Sequence, residues 1–175
     1  MIISHKIDFQ RAEIIMEALG ITLDSLLRKT ANNQLSRFKC FDIALQLLNC
    51  IENLHSLGYV HGDLKPSNLM FYPNHSQRLC LIDFGLTTKY VTKDNRHISL
   101  QNTNLFSGNI QFASRHSCKG LNKSRRDDYE SFFYILLYLL AEANLPWSYL
   151  VRKNNNKNGI ICHIFTIYKI RMMNV

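Results

Sequence analysis

Tyr59-Val-His-Gly-Asp-Leu-Lys-Pro-Ser-Asn68 and, a short way downstream, Leu81-Ile-Asp-Phe-Gly85 are the two stretches on which the reading of this chain turns. The first opens on a short β-like run, YV, the second closes another, LCLID, and each breaks into polar and glycine-containing turns. Within them stand two carboxylates, one amine and one amide: Asp63, Lys65, Asn68 and Asp83. Taken singly, each has an ordinary reading. Asp63 after a glycine suits a turn, Lys65 suits a solvated surface, and Asp-Phe-Gly suits a strand end followed by a turn. Taken together and in order, they supply oxygen ligands for a hard cation, a carboxylate to accept a proton and a fixed positive charge. His55 and His61 have no cysteine or acidic partner at zinc-ligand spacing, so zinc is not expected.

The flanks are regular. Residues 1–19 read as two short strands, IISHKID and AEIIMEAL, around a turn near Gln10 and Arg11. A short helix is expected over Leu23–Lys29 and a long one over roughly 36–57. In the long helix Phe41, Ala44, Leu45, Leu48 and Ile51 recur at helical spacing and predict a buried face, and Gly58 stands where a helix-ending glycine belongs. Short strands YV, NLMF and LCLID follow, then a polar loop over 87–107. A second helix is expected over 128–141. Its run from Phe132 to Leu140 is apolar all round and predicts burial on every side.

The chain has 175 residues, 46% apolar and 19% charged, which is globular composition, not disorder. Its net charge is +8, but Arg152, Lys153, Lys157, Lys169 and Arg171 lie in an acid-free tail at 151–175. The remainder is close to balance, so nucleic-acid binding is not expected. The five cysteines are widely spaced with no C-x-x-C pair, and read as reduced thiols of a cytoplasmic or nuclear protein. The start lacks a signal-peptide pattern, and the apolar stretch at 160–170 is too short and interrupted to span a membrane.

The paired stretches resemble the protein kinase signature H-R-D-L-x-x-x-N followed by D-F-G. Three further segments resemble the casein kinase I group. Met16-Glu-Ala-Leu-Gly-Ile-Thr-Leu-Asp24 is similar to its hinge M-E-L-L-G-P-S-L-E. Ser107-Gly-Asn-Ile-Gln-Phe-Ala-Ser114 is similar to T-G-T-A-R-Y-A-S. Ser124-Arg-Arg-Asp-Asp-Tyr-Glu-Ser131, leading to Leu145-Pro-Trp147, is similar to S-R-R-D-D-L-E-S and L-P-W. The resemblance covers residues 1–150 and implies a partial kinase fold of α+β class, mainly α. Residues 1–19 would be small-lobe strands and hinge, 20–150 the large lobe, and 151–175 a divergent tail.

The resemblance further implies ATP and Mg2+ as cofactors and a protein Ser/Thr hydroxyl as substrate, in a monomer. Asp63 would be the catalytic base and Lys65 the partner of the moving phosphate. Asn68 and Asp83 would hold magnesium. Met16, Glu17, Leu19, Met70 and Ile82 would surround the adenine. His61 would stack with Phe84, and Asp128 would reach back to the backbone of the catalytic loop.

The sequence also departs from the family pattern. Gly62 replaces an arginine that normally pairs with a phosphate in the activation segment, which makes switching by loop phosphorylation unexpected. Asn109 replaces a threonine whose hydroxyl ordinarily bridges the catalytic Asp and Lys; an amide can still donate and accept there, but it is bulkier. Gln111 replaces an arginine used for anionic substrates. No G-x-G-x-x-G or V-A-I-K motif is present, so the chain reads as a kinase fragment inactive alone. The alternatives are a catalytically dead binding module, or a small-molecule phosphotransferase of choline or aminoglycoside type, which also shows H-G-D-L-x-x-x-N.

Overall fold

The computed structural model describes residues 2–7, 12–73 and 75–149. Strands β1 (Ile2–Ile7) and β2 (Ala12–Met16) form an antiparallel pair. Helices α1 (Leu23–Lys29) and α2 (Arg37–Ser56) follow. Strands β3 (Tyr59–Val60), β4 (Leu69–Tyr72), β5 (His75–Leu81) and β6 (Thr88–Lys89) come next, then α3 (Arg115–Cys118) and α4 (Arg125–Leu140). Pairing is antiparallel throughout, β3 with β6 and β4 with β5. The expected turn near Gln10 and Arg11 and the tail at 151–175 lie outside the described residues.

The core lies between α2, α4 and the β4–β5 hairpin. Leu23 and Leu27 of α1, Ile43, Leu47 and Ile51 of α2, Leu69 of β4, and Tyr134, Ile135 and Leu139 of α4 are almost wholly buried. Burying each such side chain is worth about 1.5–3 kcal/mol. Trp147 closes one end, edge-on to Tyr134 at 5.0 Å, and its indole N–H donates to the Gln111 carbonyl.

Helix α2 starts at its cap, Ser36, whose hydroxyl accepts from the Lys39 N–H. It ends where Gly58, at φ 83°, takes the left-handed turn and donates to the His55 carbonyl. Its buried face matches the expected one only in part: Ala44 and Ile51 are buried and Leu48 packs against the core, but Phe41 and Leu45 do not. Cys40, Ile43, Ala44, Leu47, Ile51 and His55 point inward, whereas Phe41 and Leu45 are 51% and 63% exposed. The helix carries two overlapping apolar stripes, and the hairpin and α4 select the one that meets them. Gln46 serves the hairpin: its amide donates to the Gln77 carbonyl and accepts from the Leu79 N–H, satisfying the edge of β5.

Helix α4 begins three residues before the predicted start. The Asp127 carboxylate accepts from the Ser124 N–H at 2.7 Å, closing a capping box. The expectation that this helix is buried all round is overturned. Phe133, Leu137 and Leu140 are 55%, 45% and 41% exposed, because the described residues cover only the side that bears Phe132, Ile135 and Leu139. The predicted loop at 87–107 also contains a pairing, β6, which aligns Lys89 with Tyr59 and Thr88 with Val60.

Candidate active site

Strand β3 delivers the chain into the loop His61–Asn68, and the loop is held from below by Asp128 of α4. The Asp128 carboxylate, 1% exposed, accepts from the His61 N–H at 2.8 Å and the Gly62 N–H at 2.9 Å. His55 Nε2 of α2 lies 2.9 Å from the same carboxylate. One buried side chain thus joins two helices to the loop. The reach from Asp128 back to the loop backbone is the contact that the resemblance implied.

The His61 ring is buried. Its Nδ1 accepts from the Asp63 N–H, so the ring proton sits on Nε2 and is donated to the Ile82 carbonyl at 3.0 Å. Burial lowers its pKa below the usual 6.5, against the pull of Asp128, Asp63 and Asp83. Its ring lies 5.4 Å from that of Phe84. The two signature stretches are therefore joined at His61, and again where the Ile82 N–H donates to the Asn68 carbonyl.

Asp63, 8% exposed, has both carboxylate oxygens engaged. Oδ1 accepts from the Asn109 N–H at 2.7 Å, and Oδ2 accepts from Lys65 Nζ at 2.5 Å. The Asn68 side-chain NH2 donates to the Asp63 carbonyl at 3.0 Å. That orientation keeps the amide oxygen, the only atom on it able to ligate a hard cation, out of these bonds. Asp83 adopts a left-handed conformation, φ 64°, rare for a residue with a side chain, and its carboxylate accepts from the Gly85 N–H. No cluster of three or more His, Cys, Asp or Glu suited to a metal occurs among the described residues. The donor set at Asn68 and Asp83 suits a hard cation that takes its other oxygens from a ligand or from water.

Above Asp83 opens a cavity of about 610 Å3, lined by Met16, Glu17, Leu19, Met70, Ile82, Asp83, Phe84 and Gly85. All five residues expected around the adenine line this one cavity, and Asp83 lines it with them. Its volume suits a nucleotide-sized ligand. The segment that carries Met16 and Leu19 is laced to β4: the Gly20 N–H donates to the Phe71 carbonyl and the Phe71 N–H to the Ile21 carbonyl. A side chain at Gly20 would meet the Phe71 carbonyl at 2.9 Å, so the approach demands glycine.

Two departures take definite form. The Asn109 side chain does not bridge Asp63 and Lys65, the role that the resemblance gives to a threonine hydroxyl at this position. Its oxygen accepts from the Gln111 N–H, and only its backbone N–H reaches Asp63. The longer amide folds back onto its own turn, an arrangement open to Asn. Gln111 donates to the Ser148 hydroxyl, so it is bound within the fold. The sequence reading missed His55, whose role depends on a partner far along the chain, and Lys123, whose amine donates to the Gly62 carbonyl.

The loop thus brings a carboxylate, a lysine and an amide together beside a cleft that Asp83 helps to line. The chain matches the protein kinase domain family over residues 3–174 and belongs to it. That match takes in most of the basic tail. The architecture is a partial protein kinase fold. Among curated relatives, it is 41% identical over 105 residues to a probable casein kinase I homolog of Encephalitozoon cuniculi, covering 60% of this chain and 32% of that protein. It is 35% identical over 143 residues to a probable serine/threonine-protein kinase of Dictyostelium discoideum, covering 81% and 29%. It is 34% identical over 154 residues to a casein kinase 1-like protein of Oryza sativa, covering 85% and 21%. The chain thus spans a third or less of the length of these relatives. No helix among the described residues is long and apolar enough to cross a membrane.

Proposed function

We propose that this chain carries the catalytic loop and nucleotide cleft of a serine/threonine protein kinase of casein kinase I type, which transfers the γ-phosphate of ATP to a protein hydroxyl. In this reading residues 1–19 are the end of the small lobe with the hinge, and 20–150 belong to the large lobe. The observation that carries it is the Asp63 carboxylate, held on one oxygen by the Asn109 N–H and on the other by Lys65. It lies in the loop that His61 joins to the Asp83 side of the cleft.

Adenine would occupy the apolar cleft between Met16, Leu19, Met70 and Ile82. Asp63 orients the substrate hydroxyl and takes its proton, and Lys65 steadies the transferred phosphoryl group. Asn68 and Asp83 would hold magnesium, which, when bound, neutralises phosphate charge. The relatives named casein kinase support the group assignment.

The test is transfer of labelled phosphate from MgATP to casein by the native protein encoded across this reading frame. Asp63→Asn should lower kcat by about 10²–10⁴-fold. Phosphorylation of a small alcohol, with none of protein, would select the small-molecule phosphotransferase instead. MgATP binding without transfer to either would select the binding module. Residues 1–175 alone lack the glycine-rich motif, so their turnover is expected to be negligible.

A further inference from the structure

The segment between Leu86 and Asn109 must cross the face of the loop His61–Asn68 before its backbone can meet Asp63. Its middle is weakly supported. A cavity of about 490 Å3 lies beneath it, lined in part by Thr103, Leu105 and Ser107. Leu105 is 75% exposed. Thr103 is bonded to the Gly120 carbonyl, and Asn109 to Asp63. Among the described residues, the hydrogen bonds that tie residues 104–108 to another element come from Lys123. Its Nζ donates to the Ser107 carbonyl and hydroxyl, each at 3.0 Å, and to the Gly62 carbonyl at 2.7 Å. Three acceptors consume all three N–H bonds of an ammonium.

The space that Lys123 fills exists because residue 62 is glycine. A Cβ there would meet Lys123 Cδ at 2.8 Å and Nζ at 3.1 Å. Gly62 at φ 76° also makes its carbonyl available to the amine. One step beyond Ser107, Gly108 passes so close that a Cβ would stand 3.1 Å from Asp63 Oδ1 and from the Gly62 carbonyl. The Asn109 N–H then donates to Asp63. We propose that Lys123 is a positioning residue: its ammonium clamps Ser107 to Gly62 and thereby sets the Asn109 N–H on the Asp63 carboxylate. A charge carried in the chain itself holds the segment at the place where Gly62 supplies no side chain to do so. The clamp stands on geometry alone, and its consequence for phosphate transfer rests on the kinase reading.

The test replaces Lys123 with methionine, which keeps the apolar stem and removes the charge and donors, and with arginine, which keeps both. Amide hydrogen exchange across residues 105–112 should quicken about tenfold or more in Lys123→Met, with α2 unchanged, and should return toward wild type in Lys123→Arg. In the native protein, kcat for phosphate transfer should fall in Lys123→Met while KM for ATP holds. Exchange in Lys123→Met identical to wild type would overturn the clamp. So would loosening that extends equally through α2, which marks a general loss of structure. A wild-type protein that transfers no phosphate removes the kinase reading, and the exchange result still decides the clamp.

Discussion

At the residue scale, the site is built from polar groups that are individually costly to bury and are made tolerable by pairing, with His55 Nδ1 a buried exception. His61 shows the logic. It is neutral, with one ring nitrogen accepting and the other donating, and a second proton would break the bond to the Asp63 N–H. Because its pKa is lowered in the fold, the unfolded chain takes up the proton first as pH falls. The stability it contributes is therefore complete above the usual 6.5 and is lost as pH falls from there toward the folded value. The thermal midpoint of the wild type should drop over that window more steeply than that of His61→Gln, read by calorimetry across a pH series. Equal slopes would show that another group governs the acid limb.

At the element scale, α4 acts as a post for the loop, although the two are far apart in sequence. Asp128 meets two loop N–H groups and the His55 ring. Removing it leaves buried donors without an acceptor. Asp128→Ala should cost about 3–5 kcal/mol in a denaturant titration. His55→Ala removes one of the three partners and should cost less. If Asp128→Ala unfolds within about 1 kcal/mol of wild type, water or another side chain replaces the carboxylate and the post is dispensable. The sequence revealed α4 through its apolar run and through the Ser124–Ser131 segment. It did not reveal which face is buried, because the run is apolar on all sides and contact alone selects Phe132, Ile135 and Leu139.

At the scale of the whole molecule, the described residues leave apolar side chains in water on both principal helices: Phe38, Phe41 and Leu45 on α2, and Phe133, Leu137 and Leu140 on α4. Surfaces of this kind promote association. Phe133→Glu together with Leu137→Lys should lower self-association of residues 1–175, seen by light scattering over a concentration series, with little change in thermal midpoint. A large fall in midpoint would mean instead that these side chains are covered in solution.

Legibility followed the range of the interactions involved. The short helix at Leu23–Lys29, the extent of α2 and its glycine stop were readable from local pattern, since caps, periodicity and turns act within a few residues. The loop and the Asp-Phe-Gly turn were readable as chemistry, because the residue types that such chemistry needs stand close together in the chain. The exposure of Phe41 and Leu45 on α2, the one-sided burial of α4, the turning of Asn109 away from Lys65 and the placing of Lys123 against Gly62 were not readable. Each is a choice among locally equivalent options, an apolar stripe, a rotamer or an acceptor. Such a choice is made by partners that only folding brings near, as when Asp128 meets His61 across 67 positions of sequence.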